Sequence, residues 1–196
     1  MLPPVLEKVI VPSRVNVIPT EGPLRLNLGG VGDGKSGKIP GFLMVDLQDI
    51  LDVDVVADCS DLHMFKDDSV SEVYASNILE HFKHLDSVNV LKEWCRILKP
   101  GSTCWISVPD MDANFRLYKQ YGLVPWVVNI IWGDQYHPYA FHYVNFTFAS
   151  LAKCVLDAGF SDIKRLQTMP FGLPDGAAHV DSKEGTLVSL NVRAIK

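Results

Sequence analysis

The sequence lacks any apolar run long enough to cross a membrane. Its longest strongly apolar window, Leu123 to Trp132, is interrupted by Pro125 and Asn129 and reaches about half of the ~20 residues a transmembrane helix needs. The amino terminus, MLPPVLEKVIVPS, carries prolines where a secretory leader carries basic residues, and no small-residue cleavage site follows an apolar run; a cytoplasmic location is the expectation. A basic excess is missing as well. With 18 Lys and Arg against 23 Asp and Glu, the net charge is −5, so the clustered cations that neutralise a phosphate backbone are absent and a small molecule, not nucleic acid, is the expected partner. Paired cysteines are also lacking. Cys59, Cys95, Cys104 and Cys154 show no CxxC spacing and lie in apolar periodic segments, the pattern of reduced, buried thiols. There is no internal repeat and no low-complexity tract. What remains is 196 residues with 47% hydrophobic and 21% charged content, enough to bury the core of a single domain.

Short apolar runs alternate with helical patterns, which indicates an α/β class. Strands are expected at Leu24 to Leu28, Phe42 to Leu47, Asp54 to Ala57, Glu72 to Ala75 and Thr103 to Val108, then at Ile163 to Leu166 and Leu187 to Ile195. Between Leu85 and Leu98, apolar residues recur at steps of three or four up to Pro100-Gly101, the signature of an amphipathic helix and its stop. A second helix is expected from Thr147 as N-cap to Gly159 just past its end. The proline-rich first 23 residues read as an extended arm with a short edge strand at Val9 to Val11.

The glycine-rich stretch after the first strand fits several motifs. Gly29-x-x-x-x-Gly34-Lys35-Ser36 satisfies the phosphate-loop pattern, and Gly32-x-Gly34-x-x-Gly37 the dinucleotide fingerprint. Both motifs work by opening a helix whose N-terminal N–H groups face phosphates. Here Gly37, Pro40 and Gly41 follow at once and the next strand begins by Phe42, leaving no room for a helix of useful length. A nucleotide hydrolase built on Gly29 to Ser36 is therefore the lesser alternative.

The segments Leu26-Asn27-Leu28-Gly29-Gly30, Phe42-Leu43-Met44-Val45-Asp46, Asp58-Cys59-Ser60-Asp61-Leu62, Ala75-Ser76-Asn77-Ile78-Leu79-Glu80-His81, Arg96-Ile97-Leu98-Lys99-Pro100-Gly101 and Val108-Pro109-Asp110 follow one another in this order. Together they resemble the class I S-adenosylmethionine-dependent methyltransferases, and within them the small type 11 group. The resemblance covers roughly residues 24 to 160. It implies a Rossmann-like three-layer sandwich, sheet order 3-2-1-4-5-7-6 with an antiparallel last strand, and S-adenosyl-L-methionine as cofactor with S-adenosyl-L-homocysteine as product. It further implies a cofactor half at 24–109, an insert at 110–146 where this superfamily places a substrate lid, and a closing unit at 147–196. This chain departs from the family at Asn27 and Val31, where an acid and a glycine are usual, and in the helix-hostile loop from Asp33 to Gly41. In that it is similar to a shortened branch resembling enzymes of sugar and surface-polysaccharide modification.

On this resemblance, Asp46 with Leu47 at the second strand's tip would take the ribose hydroxyls, since one carboxylate accepts both. Gly29 and Gly30 would let the ligand approach the backbone, Asn27 would hydrogen-bond its methionine end, Asp58 and Cys59 would read the adenine, and Asn77 would line the methionine part. Each also has a plain structural reading: turn-forming for Asp46, Asp58 and the glycines.

Methyl transfer from a sulfonium is an in-line displacement, so holding the reactants aligned is the main task. A hydroxyl acceptor benefits from a base, for which His81, His137 and His142 are the candidates, with Glu80 placed to orient His81 or to contact substrate. No metal site is expected; the i, i+3 spacing of His81, His84 and Asp86 is the nearest to one. Residues 110 to 146 contain ten of the nineteen aromatics, flat apolar rings with polar tips that suit stacking on a sugar or a planar acceptor. The other reading of Trp126 to Trp132 is core packing or a homodimer face, and Arg116 and Lys119 suit either an anionic substrate or a solvated helix face. A non-catalytic scaffold with a degenerate pocket is the remaining alternative, motivated by Asn27 and Val31.

Overall fold

The computed structural model describes residues 14–15, 18, 21–29, 31–32, 35–36, 38–50, 52–136, 139–171 and 187–196, with backbone alone at 31–32 and 35–36. The strands are β1 (Arg14–Val15), β2 (Arg25–Leu28), β3 (Val31–Gly32), β4 (Lys35–Ser36), β5 (Leu43–Asp46), β6 (Val55–Val56), β7 (Val70–Ser76), β8 (Leu98–Pro109), β9 (Asp162–Leu166) and β10 (Ser189–Ile195). The helices are α1 (Ser87–Ile97), α2 (Met111–Tyr121), α3 (Pro125–Trp132) and α4 (Phe148–Asp157), with a 3₁₀ turn at Leu79–His81.

Eight strands form one sheet in the order β1-β6-β5-β2-β7-β8-β10-β9. β2, β5, β6, β7 and β8 are parallel, and β10 runs antiparallel between β8 and β9. Setting aside β1, this is the expected 3-2-1-4-5-7-6 order. Parallel strands sit buried on both faces, and Leu26, Leu28, Val45, Val73, Ala75, Ile106 and Val108 are accordingly sequestered. They share one core with Leu91, Trp94 and Cys95 of α1 and Leu151 and Val155 of α4.

Thr147 caps α4 as expected: its hydroxyl accepts from Ser150 N, and Ser150 Oγ accepts from Thr147 N. α1 ends sooner than the periodicity suggested. The chain is extended from Leu98, because Leu98 pairs with Val70 before the register jumps to Glu72 and Thr103, with Gly101 at φ +77° in the irregular stretch. The short edge strand is β1 at Arg14–Val15, antiparallel to β6; the expected one at Val9 to Val11 lies outside the described residues. Among the described residues between β2 and β5 there is no helix. In that position β3 and β4 pair antiparallel, Val31 with Ser36 and Gly32 with Lys35. Tyr74 and Trp105 are register partners and so share one face of the sheet, where Phe171 packs edge-on to both rings and to Phe42. Among the described residues, no helix is long and apolar enough to cross a membrane.

Candidate active site

In an open parallel sheet, ligands bind beyond the carboxyl ends of the strands, where the strand order reverses. Here that is the crevice between β2 and β7. Asn27 is buried near the end of β2, and Gly29 follows with its N–H donating to Val45 O at 2.8 Å. Gly29 has φ +67°, and a Cβ there would lie 2.7 Å from Ile78 Cδ1. Only glycine fits this turn, which leaves the backbone bare at the crevice floor. Gly30 lies outside the described residues.

Lys35–Ser36 is a strand of the small hairpin, not the first turn of a helix. The phosphate-loop reading of Gly29 to Ser36 fails on that point, since its anion site is a helix N-terminus. The dinucleotide reading requires the same missing helix.

Asp46 ends β5, nearly buried, and its Oδ1 accepts from Gln48 N at 2.9 Å; Leu47 beside it is half-buried. Asp58 Oδ1 accepts from Ser60 N and Oγ at 2.8 and 2.6 Å, so it caps its own turn. Cys59 is buried; burial, then the carboxylates of Asp46 and Asp58, push its thiol far up, while a hydrogen bond with Gly29 pulls the other way. The strand-tip residues Gly29, Asp46, Asp58 and Cys59 therefore converge on one spot. α1 secures the loop after β6: Trp94 Nε1 donates to Cys59 O at 2.8 Å, and Glu93, paired with Arg96, accepts from Leu62 N. Asn77 follows β7 in the left-handed region, φ +51°, its N–H donating to Ser107 O. A carboxylate at the β5 tip, a side-chain amide at the β2 tip and a glycine turn between them are donors and acceptors of the kind that suit the ribose and methionine ends of S-adenosylmethionine.

Beyond Asn77, the 3₁₀ turn directs Glu80 inward. Glu80 is fully buried and neither carboxyl oxygen has a hydrogen-bond partner; burial pushes its pKa up to about 8. His81 Nδ1 donates to Phe141 O, and His142 Nδ1 donates to Ile130 O, each at 3.0 Å, which places the lone pair of each ring on Nε2. The two rings meet edge to face, centroids 4.9 Å apart. Burial and then the neighbouring His81 lower the His142 pKa to about 4. Tyr143 N donates to Glu80 O at 2.8 Å, stitching the two segments together. His137 lies outside the described residues. His84 and Asp86 are exposed, so the i, i+3 trio does not assemble; the group of ligand-type atoms within 4.8 Å of one another is Glu80, His81 and His142.

Glu80 was singled out beside His81, but its full burial was not, being a tertiary property with no signal in a residue type that is normally exposed. One residue escaped the sequence reading. Gly133, at φ +77° after α3, sits where an added Cβ would lie 1.7 Å from Ala140 O; it lets the chain fold back so that His142 N reaches Trp132 O. Its position just past a helix end was the available clue. Asp110 is structural, capping α2 through Asp112 N and pairing with Arg165 at 2.6 Å. In the insert, Val127 and Phe146 are buried whereas Phe115, Tyr118, Trp126 and Trp132 are exposed. Met111, Phe115, Tyr118, Leu123 and Trp132 line an apolar groove of about 230 Å³. Arg116 and Lys119 lie on the exposed face of α2.

A family model described as a methyltransferase domain matches residues 42–106. No curated protein matches the chain. Among solved structures, a possible histamine N-methyltransferase from Thermotoga maritima aligns with TM-score 0.58 and 19% identity over 90% of this chain and 83% of its own. An S-adenosylmethionine-dependent methyltransferase from Archaeoglobus fulgidus gives 0.56 and 16% over 89% and 87%. The 1,6-didemethyltoxoflavin N1-methyltransferase of Burkholderia thailandensis, solved with its substrate and S-adenosylhomocysteine, gives 0.55 and 19% over 89% and 71%. The methyltransferase-domain match covers a third of the chain, and across nearly its whole length the chain has the fold of these S-adenosylmethionine-dependent methyltransferases.

Proposed function

We propose that the protein methylates a hydroxyl oxygen of a small acceptor, a sugar or similar metabolite, with the insert at 110–146 serving as the acceptor lid. The observation that carries this reading is the His81–His142 pair, two imidazoles in edge-to-face contact beyond the end of β7 whose Nδ1 atoms are tied to backbone carbonyls. S-adenosylmethionine, when bound, supplies an electrophilic methyl carbon on a sulfonium and leaves as the neutral thioether. Asn27, Gly29, Asp46, Leu47, Asp58, Cys59 and Asn77, with Gly30 outside the described residues, are the residues assigned to hold it. An acceptor hydroxyl must lose its proton as its oxygen takes the methyl group. His142, with its pKa lowered to about 4, is neutral at physiological pH and able to receive that proton on Nε2. It needs no raised basicity, because the proton becomes strongly acidic only as the carbon–oxygen bond forms. The exposed rings of Phe115, Tyr118 and Trp132 offer stacking surfaces for the acceptor.

The test is calorimetric titration with S-adenosylhomocysteine and, separately, with ATP and magnesium, on wild type and Asp46→Ala. Loss of a charged acceptor to ribose hydroxyls amounts to about 1.5–3 kcal/mol, or on the order of 10- to 150-fold in affinity. Binding of the homocysteine product that weakens by that factor in Asp46→Ala supports the assignment and leads to an acceptor screen starting with sugars. Methyl transfer to amines but not to hydroxyls overturns the acceptor class, and no binding of either ligand favours the scaffold alternative.

A further inference from the structure

The geometry points to a three-ligand site for a divalent transition-metal ion at Glu80, His81 and His142. Three independent observations converge on it. First, Glu80 is fully buried with both carboxyl oxygens lacking a hydrogen-bond partner. A buried carboxyl group without partners costs several kcal/mol and is rare in folded proteins unless an ion or water satisfies it. Second, both imidazoles donate Nδ1–H to a backbone carbonyl, Phe141 O for His81 and Ile130 O for His142. Such outer bonds fix the tautomer and orientation of metal-binding histidines and leave Nε2 as the ligating nitrogen. Third, a ligand atom of each residue lies within 4.8 Å of the other two, and among the described residues no other trio of His, Cys, Asp or Glu does so.

Two imidazole nitrogens and one carboxylate oxygen form a donor set for zinc and similar borderline divalent ions, with positions left over for other ligands. A tetrahedral ion with bonds of about 2.1 Å holds its ligand atoms about 3.4 Å apart, so the present separations close with side-chain movements of roughly an ångström. The donors come from two segments already tied by the Tyr143 N to Glu80 O bond, and Gly133 fixes the loop that carries His142. The backbone frame therefore precedes the ion. Occupancy stands on these contacts alone. The ion's role rests on the methyl-transfer reading and takes over from the base there: with His142 Nε2 on the ion, an open coordination position would hold the acceptor oxygen and acidify its proton, which then passes to solvent water and not to His142.

The experiment uses the full chain, stripped with a chelator and titrated with Zn²⁺ by calorimetry and with Co²⁺ by visible absorption. One equivalent per chain is expected, with a Co²⁺ spectrum of nitrogen and oxygen ligation and no thiolate band. Loss of an outer bond typically weakens such sites about 10- to 100-fold, so Glu80→Gln and His142→Gln, which remove ligands directly, should weaken binding by about 100-fold or more. Either variant suffices if the other fails to fold. Absence of stoichiometric binding, binding equally strong in a folded variant, or a thiolate band overturns the site. Calorimetry with S-adenosylhomocysteine on the metal-free protein is run in parallel: product binding without metal binding sinks this inference and spares the methyltransferase reading, and the converse does the reverse.

Discussion

Replacing Gly133 with alanine should separate the acceptor half of the site from the cofactor half. An alanine at φ +77° costs about 1–2 kcal/mol in backbone strain alone. The added Cβ would also lie 1.7 Å from Ala140 O and 2.8 Å from Ala140 C. These are backbone atoms, so no rotamer relieves the clash, and the carbonyl has to retreat by more than an ångström. Three hydrogen bonds from the adjoining residues hold it in place: His142 N to Trp132 O and His142 Nδ1 to Ile130 O, both at 3.0 Å, and Tyr143 N to Glu80 O at 2.8 Å. At about 0.5–1.5 kcal/mol net for each bond, lifting the segment away costs about as much as keeping it strained. The expected loss is about 2–5 kcal/mol, at most about the lower end of the ~5–15 kcal/mol stability of a typical domain, so the chain folds with His142 displaced. Gly122→Ala is the control: it has φ +71° but nothing within 4 Å of the new Cβ, and should cost only the backbone strain. Urea unfolding followed by circular dichroism measures both. Calorimetry should find S-adenosylhomocysteine affinity changed by less than about twofold while methyl transfer and metal binding are lost. The reasoning is refuted if Gly133→Ala is as stable as Gly122→Ala, or if it loses the homocysteine product as Asp46→Ala does.

Gly29→Ala should do the opposite, costing about 2–4 kcal/mol from its φ and from the Ile78 contact and abolishing product binding; an unchanged affinity in calorimetry would show that the crevice floor tolerates a side chain. In chelator-treated protein, Glu80 is protonated in the fold and ionised in the unfolded chain between its ordinary 4.5 and about 8. Stability relative to Glu80→Gln is thus fully present below about pH 4.5 and falls by about 1.4 kcal/mol per pH unit up to about pH 8, and urea midpoints that stay parallel across that window refute the burial argument. Lys35→Ala should leave product affinity unchanged in calorimetry, because Lys35 belongs to a hairpin strand, and wild type should not bind ATP with magnesium.

The convergence of the strand-tip residues was legible in the sequence because topology places them. Once β2, β5, β6 and β7 are recognised as parallel and in that order, Gly29, Asp46, Asp58 and Asn77 must fall on one edge of the sheet whatever the loops do. Helix-hostile residues after Ser36 likewise foretold the missing helix. Boundaries were less legible where tertiary pairing overrides local pattern: Leu98-Lys99-Pro100 reads as the end of a helix, yet Leu98 joins the sheet because Val70 lies beside it. The edge strand at Arg14–Val15 has two exposed residues and no periodicity to betray it; its place is set by β6. The acceptor cluster was half legible. His81 and His142 were singled out separately, but nothing in the sequence says that Phe141, 60 positions after His81, carries the carbonyl that orients it.

The segment from Ser76 to His81 makes the two halves unequal partners. Its first part belongs to the crevice floor, where Ile78 fills the space above Gly29, and its last part supplies Glu80 and His81 to the cluster. Asn77, in the left-handed region at φ +51°, turns the chain between them, and Asn is among the few residues that adopt this conformation cheaply. A push on Ile78 from below is therefore transmitted within three residues to both ligating side chains. The hydrogen bonds of His142 and Tyr143 run instead to α3 and to the backbone of Glu80, past the turn at Asn77. Gly29→Ala should accordingly weaken Zn²⁺ binding as well as product binding, whereas Gly133→Ala spares the product. Comparing the two variants on both ligands tests that asymmetry directly: a Gly29→Ala protein that loses the product but binds Zn²⁺ as tightly as wild type would show that the turn at Asn77 insulates the halves instead of coupling them.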